Sequence, residues 1–385
     1  MNSRLTICHG RIVLPRGILE DGSIVIEDGL IRDILSERGR TESQGRVFDA
    51  GGQIIGPGYV DPHCHGDGKR RFIDDPNVVV TNLLKAGTTS VLATIGYPDI
   101  VPDALEQQLR SLSIALEGRA RTVVMGVHLE GPYINRKYGA QTTRGVIKDP
   151  QPAEYVPLIG AHGNFIKWWT CAPERPDALE FIAYAAAHGA IVSAGHSEAS
   201  ADQIEQAIKH GLKVITHWSN ATGNPAAAAY KGTRHPGIDE AALVFDELSA
   251  EIIPDSGGRH VHPLMAKLLY KAKGPERILV ITDAGYERAD DPTDPALAAL
   301  DVSIDSDGNL AGSRLTMAGA ARNFHSFSGC TLPELFRMTS LNTARLLKLD
   351  AQIGSIELGK LANLNVLDQS LRVTQTFWRG QEVGR

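Results

Sequence analysis

Six side chains able to bind or serve a divalent cation stand where short apolar runs end, and that recurrence limits what this chain can fold into. They are His63 and His65 in GYVDPHCHG, Glu130 in VVMGVHLEGP, His196 in AIVSAGHS, His217 in KVITHWSNA and Asp283 in ILVITDAG. Each reads as the last residue of a buried parallel strand, or the first beyond it. In a (β/α)8 barrel the active site is assembled from the C-terminal ends of several strands, so residues far apart in sequence converge in space. The spacing therefore predicts one site from six scattered side chains.

A chain of 385 residues has room for such a barrel, about 250 residues, and for a smaller second unit. Its 42% hydrophobic and 22% charged residues are ordinary for a globular protein, and 39 glycines suit many tight turns. The formal charge of −6, with basic residues dispersed, argues against a nucleic-acid partner and leaves a small molecule as the expected substrate. No run approaches a membrane span, and the start MNSRLTICHG lacks the apolar core of a signal peptide, so a cytosolic location is expected. Cys8, Cys64, Cys171 and Cys330 show no CxxC spacing, which predicts four reduced thiols and no thiolate zinc site. Cys64 lies between two histidines, and in extended backbone it turns to the opposite face.

Residues 1–56 alternate short β-prone runs with turns, and Glu27-Asp28-Gly29 is a hairpin signal. The same texture returns over 352–385. The two segments are expected to form one small β-sandwich domain, neither being stable alone. Residues 57–351 alternate strand and helix candidates, with strand ends at Asp61–His65, Ile95, Glu130, Cys171, His196, His217, Asp255 and Asp283. Eight strands close a barrel. Helices are expected within PDALEQQLRSLSIALEG, PDALEFIAYAAAHG, SADQIEQAIKHG and HPLMAKLLYKAKG, most with Pro or Ser near the start and Gly past the end. Residues 222–240 have no period, and a long irregular loop after a strand is commonly functional.

An H-x-H pair ending a strand puts both imidazoles on one face, about 6–7 Å apart along the chain, near enough to share a cation. Glu130 closes an apolar run and precedes Gly-Pro; a metal ligand or a buried salt bridge would explain it. His196 and His217 taken singly are satisfied core histidines as readily as ligands. With Glu130 they form a mixed N/O set suited to zinc or another divalent ion. Asp283 is either the N-cap of the next helix or a carboxylate beside the cation that takes a proton from water and returns it to a leaving amine.

In this order DPHCHG, HLEGP, AGHS, THWSNA and ITDA resemble the amidohydrolase superfamily, and within it the N-acetylglucosamine-6-phosphate deacetylases. HLEGP is the most specific piece: most of the superfamily carries a lysine after strand 4, and here strand 4 ends in WWTCAP. The likeness runs over nearly the whole chain. It implies Glu130, His196 and His217 as principal ligands of a divalent metal, zinc first among them. It also implies a second metal position at His63 and His65 that only some members keep, hence one or two ions per subunit, and Asp283 as catalytic acid/base. It further implies sugar-phosphate contacts from Asn220 and Ala221, a phosphate-binding Arg234 and a substrate-contacting His260. The last two can come from the neighbouring subunit, so a homodimer with a shared active site follows. The implied reaction removes the N-acetyl group of an amino-sugar phosphate, N-acetylglucosamine 6-phosphate in the first place. The alternative within the same chemistry is another N-acyl compound, an unphosphorylated amino sugar or an N-acetyl amino acid.

Several positions depart from the family pattern, and they concern substrate more than metal. Gln141 stands where the family has a histidine that polarises the acetyl carbonyl; it can donate a hydrogen bond but carries no charge. Trp218, Ser219 and Thr222 are unusual in the strand-6 segment, as is Gly285-Tyr286-Glu287-Arg288 after Asp283. Lys69, Arg70 and Arg71 form either a solvated loop or an alternative anion contact. A non-catalytic relative that used the barrel for assembly would be marked by lost ligands, and here every ligand position is filled.

Overall fold

The computed structural model describes residues 4–36, 45–101, 104–140, 146–223, 233, 235–286 and 300–384. Gln141, Arg234, Glu287 and Arg288 lie outside them. Eight parallel strands, Tyr59–Cys64, Thr88–Gly96, Val124–Glu130, Ile166–Cys171, Ile191–Ala194, Leu212–Ile215, Ser249–Ile252 and Ile278–Val280, pair in sequence order. They are largely buried on both faces because the ring's interior and the surrounding helices both exclude water; all nine residues of Thr88–Gly96 are buried. The ring closes where the eighth strand runs on beside the first. There the Asp283 N–H donates to the His63 carbonyl at 2.9 Å and the His65 N–H to the Ala284 carbonyl at 2.8 Å. Thr282 Oγ1 donates to the buried Asp61 carboxylate at 2.6 Å, which ties the same seam by side chains.

Helices Leu105–Ala115, Ala178–Ala187, Ala201–Lys209 and Pro263–Lys273 fall inside the four stretches expected to be helical. Local signals set their ends: Ser200 and Gln203 form a capping box, Pro263 opens the last of them, and Gly274 just past its end has φ +65°. Aromatic packing seats Ala178–Ala187, since the Phe181 ring lies 5.0 Å from both Trp169 and Tyr133 with edge-to-face geometry. Truncating Phe181 to alanine would cost about 3–5 kcal/mol in lost burial and cavity.

Segments from both chain ends share one hydrogen-bonded sheet of eight strands: Arg4–Leu14, Gly17–Glu27, Leu30–Leu35, Arg46–Asp49, Ile54–Pro57, Leu364–Leu367, Val373–Trp378 and Gln381–Glu382. Leu364–Leu367 joins Ile54–Pro57 antiparallel, and a separate core containing Ile7, Ile24, Ile55, Leu364 and Phe377 fills the unit. The Glu27-Asp28-Gly29 hairpin is present, with Glu27 opposite Leu30 and positive φ at Asp28 and Gly29, as a primed two-residue turn requires. Among the described residues no helix is long and apolar enough to cross a membrane, and none of the four cysteines is in a disulfide.

Candidate metal centre and active site

All six side chains meet at the C-terminal mouth of the barrel. The strand hydrogen bonding stops short of three of them: His196 and His217 follow Ile191–Ala194 and Leu212–Ile215 by two residues, and Asp283 follows Ile278–Val280 by three. Each adopts a left-handed backbone, φ +48°, +30° and +47°, unusual for a non-glycine residue and typical of functional sites held by their surroundings. This turn swings each side chain inward over the barrel. Close approach elsewhere demands glycine: a Cβ at Gly139, φ +113°, would lie 2.5 Å from His196 Nδ1.

Glu130 is the hub. Its Oε1 lies 2.8 Å from His196 Nε2, 3.2 Å from His217 Nε2 and 3.4 Å from His63 Nε2, and its Oε2 lies 3.3 Å from His65 Nε2. Asp283 Oδ1 sits 3.1 Å from His65 Nε2 and 3.5 Å from His63 Nε2. Burial by itself would raise the Glu130 carboxyl, but His63, His196 and His217 hold it well below the usual range; His63 and His65 outweigh burial at Asp283 in the same way. Both carboxylates are therefore ionised at neutral pH. Burial opposes protonation of His65, yet its partners Asp283 and Glu130 push it up to about 9.

The donor set fits a divalent cation. His196 Nδ1 lies 3.1 Å from the Tyr138 carbonyl and His217 Nδ1 2.9 Å from the Asn220 carbonyl. A carbonyl only accepts, so each Nδ1 carries the proton and each Nε2 presents a lone pair. Those two Nε2 atoms are 3.1 Å apart and both face Glu130 Oε1. Three lone pairs converging in a buried space repel one another unless a cation or protons lie between them. Bonds of about 2.0–2.2 Å in a tetrahedral zinc site space ligand atoms roughly 3.3–3.6 Å apart, so the triangle need open by only a few tenths of an ångström. His63, His65 and Glu130 form a second group whose ligand atoms lie within 4.8 Å of one another.

A cavity of about 310 Å³ opens directly onto this cluster, walled on one side by Tyr138, Asn220 and Ala221 and on the other by Asp99, Tyr286 and the Leu310–Ser313 strand. Asn220 and Ala221, expected as sugar-phosphate contacts, both line the cavity. His260 does not: it is buried, with its Nδ1 3.1 Å from Asp255 Oδ2. Trp218 is wholly buried and donates to the Asp239 carbonyl at 3.0 Å, so it is core rather than cavity wall. Arg71 is committed to Asp74 and Asp99, 2.7 and 2.8 Å away, while Lys69 and Arg70 are exposed. Cys64 turns away and donates to the Gly66 carbonyl at 3.1 Å.

Two buried residues were not anticipated. His128, inside the third strand, hydrogen-bonds the Pro62 carbonyl at 3.1 Å and Thr170 Oγ1 at 2.7 Å, and burial holds it neutral below the ligands. Glu251, in the middle of the seventh strand, lies 3.1 Å from His63 Nδ1. A lone glutamate inside the apolar run SAEII was the available signal.

Barrel and cluster together define a class: a barrel hydrolase whose inward carboxylate and imidazoles could hold a cation. The chain belongs to the amidohydrolase family, whose profile matches residues 54–383. It is 29% identical over 396 residues to N-acetylglucosamine-6-phosphate deacetylase of Bacillus subtilis (strain 168), covering 99% of this chain and 97% of that one. It is also 29% identical over 386 residues to N-acetylgalactosamine-6-phosphate deacetylase of Escherichia coli O157:H7, covering 96% and 97%. A Mycobacterium smegmatis N-acetyl-D-glucosamine-6-phosphate deacetylase mutant, solved in complex with N-acetyl-D-glucosamine-6-phosphate, superposes with a TM-score of 0.86 at 27% identity and full coverage of both chains. The chain is accordingly a hydrolytic enzyme.

Proposed function

We propose that this enzyme removes the N-acetyl group of an amino-sugar phosphate, N-acetylglucosamine 6-phosphate first, releasing acetate. The observation that carries the reading is the convergence of Glu130, His196 and His217 beside an ionised Asp283 on one cavity; deacetylases of this specificity among the relatives support it. A divalent cation on those three residues, zinc by donor type, would polarise the amide carbonyl and make water acidic. Asp283 faces the same cavity. It accepts the proton that water loses as its oxygen bonds to the carbonyl carbon, then passes that proton to the nitrogen as the C–N bond breaks. Products are acetate and the free amine.

Asn220 and Ala221 orient the sugar phosphate from the strand-6 side, where Tyr138 and Asn220 also fix the tautomers of His196 and His217 through their carbonyls. Arg234 is proposed as the phosphate contact and Gln141 as the donor to the acetyl oxygen; both lie outside the described residues. His260, buried within its own subunit against Asp255, reaches neither this cavity nor a neighbour's as it is placed, so the dimer reading rests on Arg234. Exposed Val244, Leu264 and Leu268 on the neighbouring helices Ile238–Val244 and Pro263–Lys273 suit such an interface. Four cysteines outside any disulfide suit the cytosol.

A second reading rests on the relative that acts on the galactosamine epimer at equal identity. Acetate release should therefore be measured on both 6-phosphates, on N-acetylglucosamine and on N-acetyl amino acids. Preference for a phosphorylated sugar, reduced at least tenfold by Arg234→Ala, is the expected result. Turnover of an N-acetyl amino acid with none of either phosphate would replace the substrate and keep the chemistry.

A further inference from the structure

Glu251 is wholly buried and belongs to none of the roles described above. Its Oε2 accepts from His63 Nδ1 at 3.1 Å and from the His217 backbone N–H at 3.3 Å, so one carboxylate oxygen joins the first and sixth strands' ligands from below. Its Oε1 is buried without a hydrogen-bond partner. The other two tautomer-fixing contacts in this centre, to His196 and His217, come from neutral carbonyls; only His63 is backed by a charge.

That charge changes the balance of the site. Among the described residues the ion pairs of Glu130, Glu251 and Asp283 are all with histidines, none with lysine or arginine. An unbalanced carboxylate in so dry a place is costly. The donated Nδ1–H also fixes where His63 points its lone pair: its Nε2 is buried, has no hydrogen-bond partner, and faces Glu130 Oε1 and Asp283 Oδ1. A carboxylate behind a ligating imidazole both orients the ring and makes it the stronger donor.

We infer that Glu251 is a positioning residue that makes the His63/His65 pair a second cation position, by holding His63 in its Nε2-ligating tautomer and making that imidazole the stronger donor. The inference rests on the metal-centre reading above, but its readout is cation binding rather than turnover. Failure of the proposed substrate would leave it standing, and its failure would leave the substrate standing.

The test is a Co²⁺ titration of chelator-stripped full-length protein, followed by dialysis with elemental analysis and by the visible absorption of the bound ion. The parent should bind two ions per chain. Glu251→Gln, nearly isosteric, should bind the first unchanged and the second about 10- to 100-fold more weakly; His63→Ala should lose the second outright and so marks which position is affected. Circular dichroism melting of the stripped proteins checks the fold. Should Glu251→Gln fail to fold, Glu251→Asp decides, since it keeps the charge but falls short of Nδ1 and should also weaken the second ion alone. Two ions bound with parental affinity in the variant that folds, loss of both ions together, or a single ion in the parent would each overturn the inference.

Discussion

Asp283 is asked to accept a proton and return it, and its surroundings suit that task. It is ionised, faces the cavity and touches His65 at 3.1 Å, yet it is not one of the three atoms in the tightest cluster. Asp283→Asn should lower kcat about 10²- to 10⁴-fold with cation content near parental; a variant that loses its cation, or keeps its rate, would remove Asp283 from the proton path. Glu130→Gln should do the reverse and empty the centre first. At this scale the sequence was legible where an apolar run ended on a ligand type, as at Glu130, His196, His217 and Asp283. It was illegible where the functional group sat in mid-strand. Glu251 and His128 occupy inward-facing positions one layer down, and period-two alternation does not distinguish inward from outward in strands buried on both faces. Trp218 was legible as unusual but not as buried, because its placement depends on Asp239, far along the chain.

Among the elements, the hairpin of Val302–Ile304 and Leu310–Ser313 braces the eighth strand's extension: the Ser313 N–H donates to the Asp283 carbonyl at 2.8 Å and Ser313 Oγ to the Thr282 carbonyl at 2.6 Å. Gly312, φ +77°, leaves no room for a Cβ, which would meet that Asp283 carbonyl at 2.8 Å. Gly312→Ala should therefore displace Asp283 and lower kcat about 10- to 100-fold without changing cation stoichiometry. An unchanged rate would mean the hairpin is only a cover. A second element carries a pH signature: Lys273 ends Pro263–Lys273 buried, donates to the Phe245 carbonyl at 2.7 Å, and is pushed down to about 8 by burial, with Arg277 adding to it. Below that pH both folded and unfolded chains hold the proton and the cost of burying the cation is full. Between about 8 and the ordinary lysine value of 10.5 only the unfolded chain still binds it, so stability gained from this group rises with pH. Lys273→Met should raise the melting temperature at pH 7 by about 1–3 °C, and the gap from the parent should close towards pH 10. A gap that does not move with pH would show that Lys273 is buried without penalty. Helix and strand positions were readable from caps and apolar runs, whereas the hairpin was not, since DVSIDSDGNLAGS has little apolar alternation and owes its pairing to the barrel beneath it.

For the whole molecule, the barrel brings all six candidate side chains to one mouth, where a cavity opens onto them. Whether one subunit completes the site is an assembly question. Arg234 is read as serving a neighbouring subunit, so light scattering should give about twice the chain mass of 41.5 kDa. Mixing Asp283→Asn with Arg234→Ala, each inactive alone, should restore about a quarter of parental activity, because half the dimers are mixed and one of their two sites is intact. No recovery would place Arg234 in its own subunit's site. The central claim is that a cation held by Glu130, His196 and His217 serves deacetylation of an amino-sugar phosphate. Its most direct test is acetate release from N-acetylglucosamine 6-phosphate and its galactosamine epimer by chelator-stripped protein before and after Zn²⁺ is restored. Release from the stripped protein should be negligible, and turnover of one or both sugars should return at one to two ions per chain. Equal release with and without the ion, or none from either sugar at full occupancy, would contradict it.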